Sequence, residues 1–89
     1  MPFLHSREHL SAGDLAIVYC DHQCNVLMMD DSNFRRFKSG SGYEYLGGFY
    51  RRLPAKLSAP RSDYWNVVIH LGGASARIRH SVQFVKAAA

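Results

Sequence analysis

No apolar run in this chain approaches the roughly 20 residues a membrane-spanning helix requires. The longest, LAIVYC and VVIHL, break off well short of that length, so no membrane association is expected. The opening MPFLHSREHL lacks the basic segment and the apolar run of roughly 7–15 residues that mark a secretory signal, and the expected location is cytoplasmic. Cysteine is scarce, at two in 89 residues, which is too few for a disulfide-stapled scaffold and suits free thiols in a reducing compartment. Internal repeats and low-complexity linkers are missing, so residues 1–89 read as one domain. Catalytic signatures are missing as well. There is no GxSxG, no HExxH and no papain-like context around either Cys. GSGYEYLGG has the glycines of a phosphate loop but not its terminal Lys-Ser/Thr, and no GxGxxG opens a long helix. The expectation is a protein that is not an enzyme and needs no cofactor.

What the chain does have is 47% apolar residues, enough for one thin core. It also has a formal charge of +4, which favours anionic partners without naming one. Short β-branched and apolar runs dominate. LAIVYC (15–20) and NVLMMD (25–30), separated by Asp21-His22-Gln23, read as a hairpin. DDSNFRRFKSG (30–40) reads as a short helix capped by Asp31 or Ser32, with Phe34 and Phe37 on one face and Gly40 closing it. YEYLGGFYRRL (43–53) alternates around a Gly47-Gly48 interruption, and PAKLSAP (54–60) puts Ala55, Leu57 and Ala59 on one side between prolines that suit an edge. In YWNVVIHL, Trp65, Val67, Ile69 and Leu71 share a face opposite Asn66 and His70. In ARIRHSVQFV, Ile78, His80, Val82 and Phe84 share a face opposite Arg77, Arg79, Ser81 and Gln83. Gly72-Gly73-Ala74-Ser75 would join these two runs as a second hairpin. About seven strands and one short helix near 31–39 predict an all-β fold, an antiparallel sandwich or partly closed barrel.

Cys20, His22 and Cys24 lie within five residues and are all zinc-ligand types. A structural zinc site draws on two such pairs, whereas this chain has a single CxHxC, and a fourth ligand would have to come from His5, His9, His70 or His80. In a hairpin the two thiols would face each other beside the turn, with His22 at its tip. Two ordinary thiols are the expectation; an adventitious disulfide and a zinc site are the alternatives. His80, on an apolar face, is expected as a buried imidazole with one hydrogen-bond partner rather than a catalytic group.

The basic residues Arg35, Arg36, Lys38, Arg51, Arg52, Arg77 and Arg79 interleave with Tyr43, Tyr45, Phe49 and Tyr50. Such a mixture can stack on bases and contact phosphates, but it also suits the solvated faces of a sandwich whose strand aromatics enter the core. Arg and Tyr are residue types that anchor interfaces. Tyr43, Tyr45, Arg51, Arg52, Arg77 and Arg79 are therefore the candidate binding residues. The expected partner is a protein; the alternatives are an anionic ligand, single-stranded nucleic acid or a second copy in a homodimer.

Through HLSAGDLAIV, NVLMMDDSNFRRFKSG, YEYLGGFYRRLPAKLSAP and DYWNVVIHLGGASARIRHSV, nearly the whole chain resembles a small bacterial family catalogued as domain of unknown function 1883. The resemblance implies an all-β, sandwich-like domain without assigned activity, found alone or beside other domains such as signalling modules. It does not run through the Cys-x-His-x-Cys turn, so it implies no family-wide metal role. A looser likeness links the Asp-x-x-Asn-Phe turn and the later YWNVVI strand to non-catalytic β-sandwich binding modules.

Overall fold

A computed structural model describes residues 3–71 and 78–87. Seven strands and one helix follow in the order β1 (Leu4–Leu10), β2 (Leu15–Cys20), β3 (Cys24–Asp30), α1 (Asp31–Ser39), β4 (Leu46–Tyr50), β5 (Ala55–Ser58), β6 (Asp63–His70) and β7 (His80–Val85). They form two antiparallel sheets, β1-β6-β3-β4 and β5-β2-β7, stacked as a sandwich that does not close into a barrel.

Both expected hairpins are corrected by this order. β2 and β3 lie in different sheets, as do β6 and β7. Residues 21–23 therefore arch from one layer to the other rather than turning within a sheet. The alternation was read correctly, since Ala16, Val18 and Cys20 on β2 and Cys24, Val26 and Met28 on β3 are all buried in one core. Two apolar strand faces can be covered by lying opposite each other as well as side by side, and periodicity does not distinguish the two. The proposed turn at 72–75 and Arg77 lie outside the described residues.

β1 was not expected, because LHSREHL is mostly polar. It is a sheet edge paired only with β6, and most of its side chains face water. β5 is an edge of the other sheet, as its flanking prolines suggested, and it buries Ala55 and Leu57. The 43–53 run is a strand only over its middle five residues.

The outer face of β6 is not the polar surface expected. Asn66 and Val68 are fully buried because α1 packs across it, making a second core of Leu27, Met29, Phe34 and Val68 edged by Phe3, Phe37 and Tyr43. The helix cap is also shifted by one residue. Asp30, not Asp31 or Ser32, accepts from the Asn33 amide at 2.9 Å, while Gly40 closes the helix at φ 79° as anticipated. A residue in extended conformation can aim its side chain back at the first free amides, and Asp30 at the strand end is the one so placed.

Asp31 is thereby freed for tertiary contacts. It accepts from Arg7 Nε at 3.0 Å and Nη2 at 2.8 Å, and from Asn66 Nδ2 at 2.7 Å. These bonds, chiefly that from Arg7, lower its pKa from 3.8 to about 2. A depressed carboxylate pKa gives stability that is complete above the unfolded value and is lost as pH falls through the folded one. Denaturation midpoints should therefore drop between about pH 4 and about pH 2, and Asp31→Asn should shrink that drop without abolishing it. Asp14, Asp21 and Asp30 contribute to the remainder, since backbone amide bonds hold Asp14 and Asp30, and the His22 ring holds Asp21, below the ordinary carboxylate range. Urea melts across this window measure the difference.

Candidate functional site

The CxHxC segment does not assemble a ligand cluster. Cys20 and Cys24 end and begin their strands on the inward faces, buried in the core between the sheets. His22 is exposed, its Nδ1 2.9 Å from Asp21 Oδ1. Among the described residues no group of three His, Cys, Asp or Glu side chains converges. Burial, together with contact from Cys20, pushes the Cys24 thiol up to about 12. The thiolate is the reactive form, so Cys24 is held in its inert state near neutral pH.

His80 keeps the predicted face, opposite Cys20 in register, but it is exposed and not buried. β7 is an edge strand and His80 is its first residue, beside a small cavity of about 70 Å³ between β7 and β1. Position on an inward face therefore did not guarantee cover.

The candidate binding residues separate into two groups along β4. Tyr43 is half-buried against Phe37, with ring centroids 5.2 Å apart, and Tyr45 packs on Tyr43 at 5.5 Å while staying 49% exposed. Both precede β4, where the Glu44 amide donates to Asn33 Oδ1 at 2.8 Å and ties the segment to α1. Arg51 and Arg52 are exposed after the opposite end of the strand, roughly 20 Å from Tyr45 at about 3.3 Å per residue. Arg79 lies at that same end, since its backbone both donates to Asp21 Oδ1 and accepts from the Asp21 amide. The position of Arg77 is not described.

Between the two groups lies an exposed apolar strip. Against the expectation that strand aromatics enter the core, Phe49 is 56% exposed, and Leu46 is 38% exposed. The register sets Phe49 beside Asn25 and Gly47 beside Leu27 on the outer face, where α1 does not reach Phe49. With Tyr45, these make three of the six large apolar side chains exposed among the described residues, all within positions 45–49. The usable signal was Gly47-Gly48, because two adjacent strand residues without side chains leave their neighbours uncovered.

A cavity of about 170 Å³ opens beside Tyr45 and Leu46, with Pro60, Arg61 and Trp65 among its other walls. Arg61 is held there, 2.7 Å from Asp30 Oδ2, with its guanidinium 4.9 Å from the Trp65 ring centre, and its carbonyl accepts from the Trp65 indole at 3.1 Å. These polar walls are occupied in holding the fold. Beside them Tyr45, Leu46 and Phe49 form an exposed apolar strip along β4.

No curated protein and no solved structure matches this chain. A family model does match, over residues 1–88, and the chain belongs to the family described as Domain of unknown function (DUF1883).

Proposed function

We propose that this domain is a non-enzymatic protein-interaction module that docks a protein partner on the exposed edge of β4. The observation carrying the reading is the concentration of Tyr45, Leu46 and Phe49 on a sheet edge, where backbone groups and apolar surface are offered together. Aromatic side chains near the centre of a patch dominate interface energies, and Arg51 and Arg52 at its end supply a polar, cationic rim.

A second reading, an anionic ligand that includes single-stranded nucleic acid, is favoured by the gathering of Arg51, Arg52 and Arg79 at one end of the sandwich. One experiment separates them. Immobilised wild-type domain and its Phe49→Asp variant are exposed to lysate at low and high salt, with and without nuclease. The interaction reading expects protein held by wild type, not by Phe49→Asp, at high salt and after nuclease. Capture that collapses with salt or nuclease and ignores Phe49→Asp favours the anionic reading instead.

A further inference from the structure

Charge is divided between the two ends of the sandwich. At one end β2 stops at Cys20, β4 at Tyr50 and β6 at His70, while β3 starts at Cys24 and β7 at His80. The segments there bring Arg51, Arg52 and Arg79 together with one described carboxylate, Asp21. Asp21 is occupied by the His22 ring at 2.9 Å and the Arg79 backbone amide at 2.9 Å. Among the described residues, none of the three guanidinium groups forms an ion pair. The opposite end holds Asp14, Asp30, Asp31, Glu44 and Asp63, and its Arg61 and Lys86 are taken up in ion pairs with three of them. β4 spans the two ends, with Glu44 ahead of it and Arg51 and Arg52 behind.

We infer that the occupant of β4 is an extended segment of a partner protein whose apolar residues lie along Tyr45 to Phe49 and whose Asp or Glu residues lie against Arg51, Arg52 and Arg79. This rests on the reading of β4 as the docking edge and specifies the chemistry of what fills it.

The edge suits a polypeptide. β1 exposes Arg7 and Glu8, β5 exposes Lys56 between Pro54 and Pro60, and β7 shows His80, Ser81 and Gln83 to solvent, whereas Tyr45 to Tyr50 has neither charge nor proline to discourage an added strand. Residues 51–53 form a bend, so the strand ladder ends at Tyr50 and the acidic residues of the partner are met by long cationic side chains. Those guanidinium groups have no carboxylate to give up, so a partner's carboxylates gain attraction without breaking an internal pair. Glu44 at the far end of β4 repels the same acidic residues, which fixes the direction in which the segment lies. Nucleic acid fits less well. Tyr19 and Phe49, the exposed aromatics nearest the basic end, point from opposite outer faces of the sandwich and cannot form one stacking platform.

The test is an NMR titration of the isotope-labelled full chain with two capped peptides. The acidic probe has three Glu followed by alternating Val and Thr, because an antiparallel segment enters beside Arg51; the basic probe has Lys in place of each Glu. The acidic probe should shift the amide signals of residues 46–52 and of Arg79 with a Kd below about 1 mM at about 50 mM salt, and the basic probe should bind about fivefold more weakly or worse. In the double variant Arg51→Glu, Arg52→Glu the preference should invert, an outcome that a misfolded protein could not give. Equal binding of the two probes along residues 46–50, or a preference that does not invert, would overturn the acidic partner and leave the docking edge standing. No shift along residues 46–50 with either probe would remove the docking edge as well. If an oligothymidylate then shifts Arg51, Arg52 and Arg79, the basic end is a site for polyanions in general and the inference falls to the anionic reading.

Discussion

Gly47→Ala should lower the unfolding free energy by about 3 kcal/mol, far more than an edge-strand substitution usually costs. Gly47 sits at φ 103°, a region that L side chains rarely adopt, and a Cβ there would drive into the carbonyl oxygen of Val26. That oxygen belongs to the backbone of β3, whose Val26 side chain is buried in the core, so it cannot swing aside as the tip of a flexible side chain would. Either β3 shifts or β4 lifts from it. The neighbouring Gly48 provides the control. It also has a positive φ, 151°, but a Cβ there meets nothing within 4 Å, so Gly48→Ala should cost only the backbone term, about 1 kcal/mol. Denaturant titration of the two variants isolates the close approach, and equal losses would show that Val26 yields freely. If β4 lifts in Gly47→Ala, Phe49-dependent capture should fall with it, since edge and aromatic strip move together.

The inward faces of the strands were legible in the sequence because a period of two is intrinsic to extended chain. Ala55, Leu57 and Ala59 are buried as the alternation required, and the helix at 31–39 with Gly40 at its end follows from local signals alone. Layer assignment was not legible. Cys20 and Cys24 would flank Asp21-His22-Gln23 whether those residues closed a hairpin or crossed between sheets, and only the pairing of β3 with β6 and of β2 with β7 decides it. β1 escaped notice for a different reason. An edge strand with little buried side-chain area takes its place from backbone bonds to β6, and these leave no hydrophobic trace.

The proposed docking surface was half legible for the same physical reason. Tyr43, Tyr45, Arg51 and Arg52 were selected by residue type, but type alone could not say that a five-residue strand separates them. The rule that strand aromatics enter the core then misplaced Phe49. That rule presumes a layer on the relevant side, and α1 covers the outer face of the sheet over Leu27, Met29, Asn66 and Val68 but not over Phe49.

Asn66 was expected on an exposed face, and its burial makes it the polar residue whose loss should cost most. Its Oδ1 accepts from His5 Nε2 at 2.8 Å, while its Nδ2 donates to the Met29 carbonyl at 3.3 Å and to Asp31 Oδ1 at 2.7 Å. One amide thus links β1, β3, β6 and the first residue of α1. Asn66→Leu fills nearly the same volume but leaves the Met29 carbonyl and the His5 ring without this partner, at an expected cost of about 3 kcal/mol. Asn66→Asp separates hydrogen bonding from charge. It keeps the shape but places a second carboxylate against Asp31, and burial and like charge together raise the pKa of the new group. A raised carboxylate pKa penalises the fold above that value and relents as pH falls and the proton is taken up. Asn66→Asp should therefore lose most stability at neutral pH and recover part of it toward about pH 5, whereas the Asn66→Leu deficit stays flat across the same range. Chemical denaturation at the two pH values reads this directly. Parallel behaviour of the two variants would mean that Asp31 and residue 66 are not in contact in solution, and that α1 is held to the sheet by its apolar packing and by Arg7.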